Sequence, residues 1–102
     1  MKPQFPGNMQ NMIKQAQKLQ KDMAQAQEQL NQTDFVGKSA DDAVVATFSG
    51  ARQLKDLQIK PEALDPDDPD MLQDLIIMAV NSAMTQIDQQ AEQTLGKYTP
   101  GF

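Results

Sequence analysis

The sequence predicts an α+β fold with a long N-terminal helix, a three-stranded antiparallel sheet and a C-terminal helix. Apolar residues recur every three or four positions in the first third of the chain, alternate in the middle third, and return to helical spacing in the last third. The length of 102 residues fits one domain, but its single sheet is too small to bury two long helices. We therefore expect one domain over residues 1–102 that associates with a second copy of itself.

The first helix is expected to begin after Asn8, which suits an N-cap, and to run for about 22 residues. Residues 1–7 contain two prolines and a glycine and are expected to form a flexible tail. A three-four alternation, the a/d repeat of a coiled coil, forms a seam along this helix. The seam consists of Met9, Met12, Ala16, Leu19, Met23, Ala26 and Leu30. Because glutamine and lysine fill most other positions, the seam is narrow enough to meet one helical neighbour.

The middle third changes to the period of a β-strand. Strands are predicted at residues 35–38, 43–49 and 53–60, since β-branched and aromatic residues alternate there with polar ones. In the second strand, Val44, Ala46 and Phe48 share one face. Ser49 and Gly50 predict a tight turn into the third strand. The resulting meander has one apolar face to cover.

The last helix is predicted over residues 71–95, capped by Asp70 or an aspartate just before it and ended by Gly96. Residues 97–102 are expected to form a second flexible tail. Ile77 and Met78 fall off the main apolar face of the helix, so its first half is apolar nearly all round. We expect this half to pack on the sheet and on a second subunit. The predicted subunit contact consists of Leu72, Leu75, Ile76, Ala79, Val80 and Ala83.

Composition excludes several classes of function. Cysteine and histidine are absent, which removes Ser-His and Cys-His nucleophiles and the usual zinc sites. The acidic loop around Asp65, Asp67, Asp68 and Asp70 lacks the glycine and distal glutamate of an EF-hand, and helix capping explains it better. We expect no enzyme, no metal, no cofactor and no small-molecule substrate. The longest apolar run, residues 75–80, is too short to cross a membrane, and we expect a cytoplasmic protein.

Charge is distributed unevenly along the chain. The net charge is −5, with +2 in residues 1–30, 0 in residues 31–60 and −7 in residues 61–102. If Met9 is heptad position a, Lys14 and Lys21 occupy position f and Lys18 occupies position c, opposite the seam. Lysines there, joined by Lys2 near the N-terminus, can bind phosphates without reading bases. The pattern alone favours the alternative that lysine and glutamine only keep a helix solvated.

Four segments together resemble the YbaB/EbfC family of bacterial nucleoid-associated proteins: FPGNMQNMIKQAQKLQKDM, VVATFSGARQLKDLQI, DLIIMAVNSAM and the terminal PGF. The resemblance implies a tweezer-shaped homodimer whose sheets and last helices pack across a two-fold axis while the long helices project as arms. It also implies binding to double-stranded DNA with little sequence preference, and a location in the nucleoid. Relatives often carry basic residues in the last helix, whereas MTQIDQQAEQ has none here. The DNA contact is therefore expected at Lys14, Lys18 and Lys21 of the first helix.

Two further alternatives concern protein surfaces. Met9, Met12, Ala16, Leu19 and Met23 could dock the helix of another protein, with the lysines serving only solubility. The same residues could instead belong to the core of the dimer. For Arg52 and Lys55, near the predicted hairpin, a charged edge that blocks strand addition is favoured over a phosphate contact.

Overall fold

The computed structural model of the chain describes residues 5–96, with side chains from residue 9 onward. The described elements are α1 (Phe5–Gln32), β1 (Asp34–Lys38), β2 (Val44–Ser49), β3 (Leu54–Ile59) and α2 (Pro69–Leu95), with single 3-10 turns at Ala40–Asp42 and Pro61–Ala63. The predicted α+β fold and its order of elements are confirmed. The expectations for residues 1–4 and 97–102 lie outside the described residues.

Helix α1 is longer than predicted. It begins at Phe5, not after Asn8, and has 28 residues, so residues 5–7 are helical where a flexible tail was expected. Pro6 is tolerated there because the first backbone N–H groups of a helix have no partner within the helix in any case. Pro6 and Gly7 are thus compatible with the first turn of α1, although they predicted a tail.

The sheet is an antiparallel meander in the order β1-β2-β3, with β2 in the centre. Phe35 pairs with Phe48 across the first two strands, and Ala46 pairs with Leu57 across the last two. Val44, Ala46 and Phe48 are buried and alternate with half-buried residues, which confirms their shared face. Strands β1 and β3 are the two edges of the sheet.

Helix α2 lies across β1 and β2. Its N-cap is Asp68, whose side chain accepts a hydrogen bond from the Met71 backbone N–H at 3.2 Å, which confirms a cap just before residue 70. Helix and strand approach so closely that a Cβ atom on Gly37 would lie 2.1 Å from the Ala79 carbonyl oxygen. Ala79 and Ala83 are therefore fully buried against β1 within the same chain.

Strand β3 is left partly uncovered by α2. Leu57 lies on the core face with its partner Ala46, yet it is 37% exposed, and Leu54 is 49% exposed. The reason is that α2 packs chiefly on β1 and β2. One flank of α2 faces this opening, because Met84 and Asp88 contact Arg52 in the turn between β2 and β3.

The molecule is elongated because α1 leaves the body after a short contact. Its extents are 84 × 22 × 16 Å and its radius of gyration is 21.6 Å, against about 13 Å for a compact chain of 100 residues. Leu30 is buried, whereas almost every side chain from residue 9 to residue 25 is exposed. We call residues 9–25 the arm and the remainder of the described chain the body. Neither α1 nor α2 has the combination of length and apolar character required to cross a membrane, within the described residues.

Candidate nucleic-acid interface

The arm is held at its base by the turn between β2 and β3. The Thr33 hydroxyl donates to the Gln29 carbonyl at 2.7 Å, and the Gly50 backbone N–H donates to the Thr33 carbonyl at 2.9 Å. A Cβ atom on Gly50 would lie 1.8 Å from the Leu30 carbonyl oxygen, so only glycine fits beneath the end of α1. This contact, together with the burial of Leu30, fixes the position at which the arm leaves the body.

Lys14, Lys18 and Lys21 form an exposed row along the arm. At 100° per residue they fall within an arc of about 60°, on the side opposite the seam. Their Cα atoms span about 10 Å along the helix axis at 1.5 Å per residue. Since phosphates of one DNA strand advance about 3.4 Å per nucleotide along the duplex axis, the row matches about three phosphates. The helix therefore brings these three charges together, as the heptad assignment predicts.

One of the three lysines has an acidic neighbour. The Lys18 Nζ atom lies 3.6 Å from Asp22 Oδ2, one helical turn further on, and the Lys18 side chain is 80% exposed. Lys14 and Lys21 make no ion pair or hydrogen bond with any side chain or backbone group among the described residues. Exposed ion pairs of this kind contribute at most about 1 kcal/mol to stability. A phosphate can therefore replace Asp22 as the partner of the Lys18 ammonium group. This pair was not predicted, although a lysine and an aspartate four residues apart on a helix are the sequence signal for it.

The remaining candidates for phosphate contact are less favourable or not described. Arg52 pairs with Asp88, and Lys55 Nζ donates to Asp34 Oδ1 at 2.7 Å, so both cations are engaged within the chain. Lys55 lies on the edge strand β3, and its predicted role in blocking strand addition stays a prediction. Lys2 lies outside the described residues. Among the described residues, the lysine row of the arm is accordingly the best candidate for a phosphate contact.

The outer part of the seam is uncovered in a single chain. We call Met9, Met12, Ala16, Leu19 and Met23 the outer seam. All five side chains are exposed, and Met12 is 66% exposed. The inner seam positions Ala26 and Leu30 are half-buried and buried by the body. The helical neighbour that the narrow seam predicts is therefore not supplied by this chain within the described residues.

The predicted subunit contact divides into two groups. Ala79 and Ala83 are fully buried under β1 and take part in the core of the single chain. The other predicted positions, Leu72, Leu75, Ile76 and Val80, are half-buried and pack at the margin of that core. Periodicity had placed all six on one face, but it does not separate residues covered by their own chain from residues left for a partner.

Two aspartates of the acidic loop before α2 have structural roles. Asp68 caps α2, and Asp65 Oδ1 accepts a hydrogen bond from the Asp67 backbone N–H at 2.9 Å. The predicted capping role is thus confirmed for Asp68. Over residues 5–96, no three acidic side chains gather in an arrangement that could hold a metal ion.

Fold and site together define a small α+β protein with a basic helical arm, and comparison with known proteins gives its family. The chain matches the model of the YbaB/EbfC DNA-binding family over residues 5–102. It is 62% identical over 105 residues to a nucleoid-associated protein of Lactobacillus delbrueckii subsp. bulgaricus, covering 99% of this chain and 96% of that protein. A nucleoid-associated protein of Enterococcus faecalis is 58% identical over 96 residues, covering 94% of this chain and 92% of that protein.

A solved structure shares the fold. An uncharacterized protein from Helicobacter pylori superposes with a TM-score of 0.73 at 22% identity, covering 86% of this chain and 92% of that one. The chain belongs to the YbaB/EbfC DNA-binding family, as the four sequence segments indicated. This family is described as a DNA-binding family.

Proposed function

We propose that this protein is a nucleoid-associated protein that binds double-stranded DNA as a homodimer, through Lys14, Lys18 and Lys21 of each arm. Lys2 is proposed as an additional contact. The observation that carries the proposal is the exposed lysine row, which protrudes from the body on the side opposite the seam. Membership of a DNA-binding family and the names of the relatives support it. On this proposal the protein resides in the nucleoid, within the cytoplasm, and catalyses no reaction.

Binding of this kind has little sequence preference. Lysine ammonium groups act as point charges on phosphates, and phosphate contacts position a protein on DNA without carrying sequence information. Gln15, Gln17, Gln20 and Gln25 of the arm can add weak hydrogen bonds to the backbone or to base edges. The arm carries no arginine, the residue that most often makes a specific contact to guanine.

The net charge of −5 opposes this contact little, because all acidic residues except Asp22 lie outside the arm. Residues 61–102 carry −7, and their described part belongs to the body. Lys14 and Lys18 stand about 18 and 12 Å along the helix from Ala26, where the body begins, and Lys21 stands about 7.5 Å from it, at 1.5 Å per residue. The first two distances exceed the Debye length of about 8 Å at physiological salt, so the field of the body is largely screened at Lys14 and Lys18 and less so at Lys21.

A matched pair of double variants tests the proposal. Lys14→Glu/Lys21→Glu and Lys38→Glu/Lys60→Glu change the net charge equally, but only the first alters the arm. We expect the arm variant to lose retention of a labelled duplex in a gel at low salt, whereas the body variant retains it. Sedimentation and circular dichroism of both variants verify that assembly and folding are intact. Equal retention by the two variants would contradict the proposal.

The homodimer is proposed to form through the uncovered side of the body. We call this surface the body face, and it consists of Leu54 and Leu57 of β3 with Leu72, Ile76, Val80 and Met84 of α2. The four α2 residues recur every fourth position and so lie on the flank that Met84 turns toward Arg52. Half-buried and exposed apolar side chains along one flank of a helix and on the strand beside it are typical of a subunit contact. Ala79 and Ala83, buried behind this flank, support it from within the chain.

A further inference from the structure

We propose that the outer seam is a second self-association surface, through which the arm of one dimer pairs antiparallel with the arm of a neighbouring dimer on the same DNA. The inference rests on the homodimer and the DNA contact proposed above. The pairing of the arms can be measured without DNA, so its failure is distinguishable from failure of DNA binding.

The exposed side chains of the outer seam require an apolar neighbour. Four of its five residues are methionine or leucine, and all are exposed although they continue a stripe that ends in the core at Leu30. Ile13, which is also exposed, widens the stripe near its outer end. A protruding helix with a continuous apolar a/d stripe is the form that a coiled-coil partner recognises.

The seam complements a second copy of itself. In an antiparallel pair, each a position of one helix meets a d position of the other. With the pair centred on residue 14, Met9 meets Leu19 and Met12 meets Ala16. The partner helix, which begins at Phe5, then ends level with Met23 and clears the body. Each Ala16 is opposite a large side chain, which keeps the volume of the layers even.

The charges beside the seam also favour a second copy. The flanking e and g positions between residues 13 and 29 are Ile13, Gln15, Gln20, Asp22, Gln27 and Gln29. Only Asp22 is charged, so two arms bring no pair of lysines together. Coiled coils that select a different partner usually do so through opposite charges at these positions, and this arm lacks them. The lysine row stays on the outer side of the pair and remains available to phosphates.

The size of the seam makes the pairing weak in solution. A strip about 30 Å long and roughly 10 Å wide covers about 300 Å² per helix, at 1.5 Å of rise per residue. Stable interfaces bury about 800 Å² per partner, so free dimers pair only transiently. Dimers that bind side by side on one duplex hold their arms at a high effective concentration, which promotes pairing there. Cooperative binding along the duplex follows.

Two separate self-contacts on one chain also extend the assembly beyond a dimer. The body face and the outer seam lie on different parts of the molecule, and each joins identical copies. Unless their two-fold axes meet so as to close the assembly, two such contacts generate an open row of dimers. A row of this kind suits a duplex, which offers equivalent phosphate sites along its length.

The test uses a variant of the seam and a control on the same helix. Met12→Gln/Leu19→Gln removes two large seam residues without changing the charge, and Gln10→Ala/Asn11→Ala changes two exposed uncharged residues outside the seam. Each protein is titrated with a short duplex that holds one dimer and a long duplex that holds several. We expect the wild type and the control to bind the long duplex cooperatively. The seam variant should bind it without cooperativity, at an unchanged affinity for the short duplex.

Sedimentation over a concentration series provides the measurement without DNA. We expect the association constant for species larger than the dimer to be more than about tenfold lower in the seam variant than in the control. The proposal is overturned if the seam variant and the control have the same association constant in sedimentation. If both bind DNA, they would then also show the same cooperativity in the titration. Dissociation of the seam variant to monomers also overturns it, because the seam would then belong to the dimer contact. Larger species that form only after addition of another protein would assign the seam to a different partner.

Discussion

Lys18 differs from Lys14 and Lys21 in having an acidic neighbour, Asp22, one helical turn away. On the proposed DNA-binding surface, this carboxylate acts in two ways. It competes with phosphate for the ammonium group, and it adds a negative charge that repels the duplex. Asp22 and Glu28 are the only acidic residues in the first thirty, so the local field depends strongly on each of them.

Replacement of Asp22 by asparagine should therefore tighten DNA binding. We expect a several-fold lower dissociation constant at low salt, because two repulsive charges disappear per dimer, and a smaller gain at high salt. Fluorescence titration of a labelled duplex measures the dissociation constant at both salt concentrations. Asp74→Asn, which removes a carboxylate from the body, provides the control and should have a much smaller effect. If the Asp22→Asn variant binds DNA with unchanged affinity, the duplex does not lie against this turn of the arm.

At the scale of elements, the contact between α2 and β1 depends on one glycine. A Cβ atom on Gly37 would lie 2.1 Å from the Ala79 carbonyl oxygen and 2.5 Å from the Ala83 backbone nitrogen. Both atoms belong to the helix backbone, so relief requires the whole helix to move.

Gly37→Ala should destabilise the protein by about 3 kcal/mol or more, since overpacking against backbone cannot be relieved by a rotamer change. Denaturant unfolding measures the change. Gly96→Ala is the matched control, because a Cβ atom there meets nothing within 4 Å and the backbone is right-handed helical. That variant should be neutral or slightly more stable. A loss below 1 kcal/mol for Gly37→Ala would show that helix and strand are less tightly packed than described.

Most of the elements could be predicted from the sequence, because period and turn residues determine them locally. The strands end within two residues of their predicted limits, and a cap before residue 70 was expected from the run of aspartates. The predicted start of α1 was wrong by four residues, since proline and glycine are compatible with a first helical turn. The need for glycine at positions 37 and 50 arises from contacts distant in sequence, which no local pattern reveals.

The candidate site was predictable in part. The heptad pattern placed Lys14, Lys18 and Lys21 on one face, and the structure leaves all three exposed. For the subunit contact, periodicity identified an apolar face of α2 but not which element covers it. Ala79 and Ala83 are covered by β1, whereas Leu57, which reads as a core residue of β3, is partly exposed. Coverage depends on where helices lie across the sheet, and this is a property of the whole fold.

For the whole molecule, the body face is expected to determine the oligomeric state. Leu57→Glu introduces a charge into the centre of that face, whereas Leu64→Glu makes the same change at a position that is 56% exposed and outside it. We expect Leu57→Glu to shift the dimer toward monomer in sedimentation, because a buried unpaired carboxylate is costly, and Leu64→Glu to remain dimeric. If both variants remain dimeric, the subunit contact lies on a surface other than the body face.

The central claim, that the arm binds phosphates, is tested most directly by the salt dependence of DNA affinity. The six arm lysines of a dimer, each neutralising one phosphate, predict a slope near −5 when the logarithm of the association constant is plotted against that of the salt concentration, and contacts from both Lys2 residues would steepen it to about −7. A variant with Lys14, Lys18 and Lys21 all replaced by glutamine should show little residual binding and a slope no steeper than about −2, the share expected of Lys2 in two protomers. A wild-type slope near zero, or a triple variant with the wild-type slope, would contradict the account.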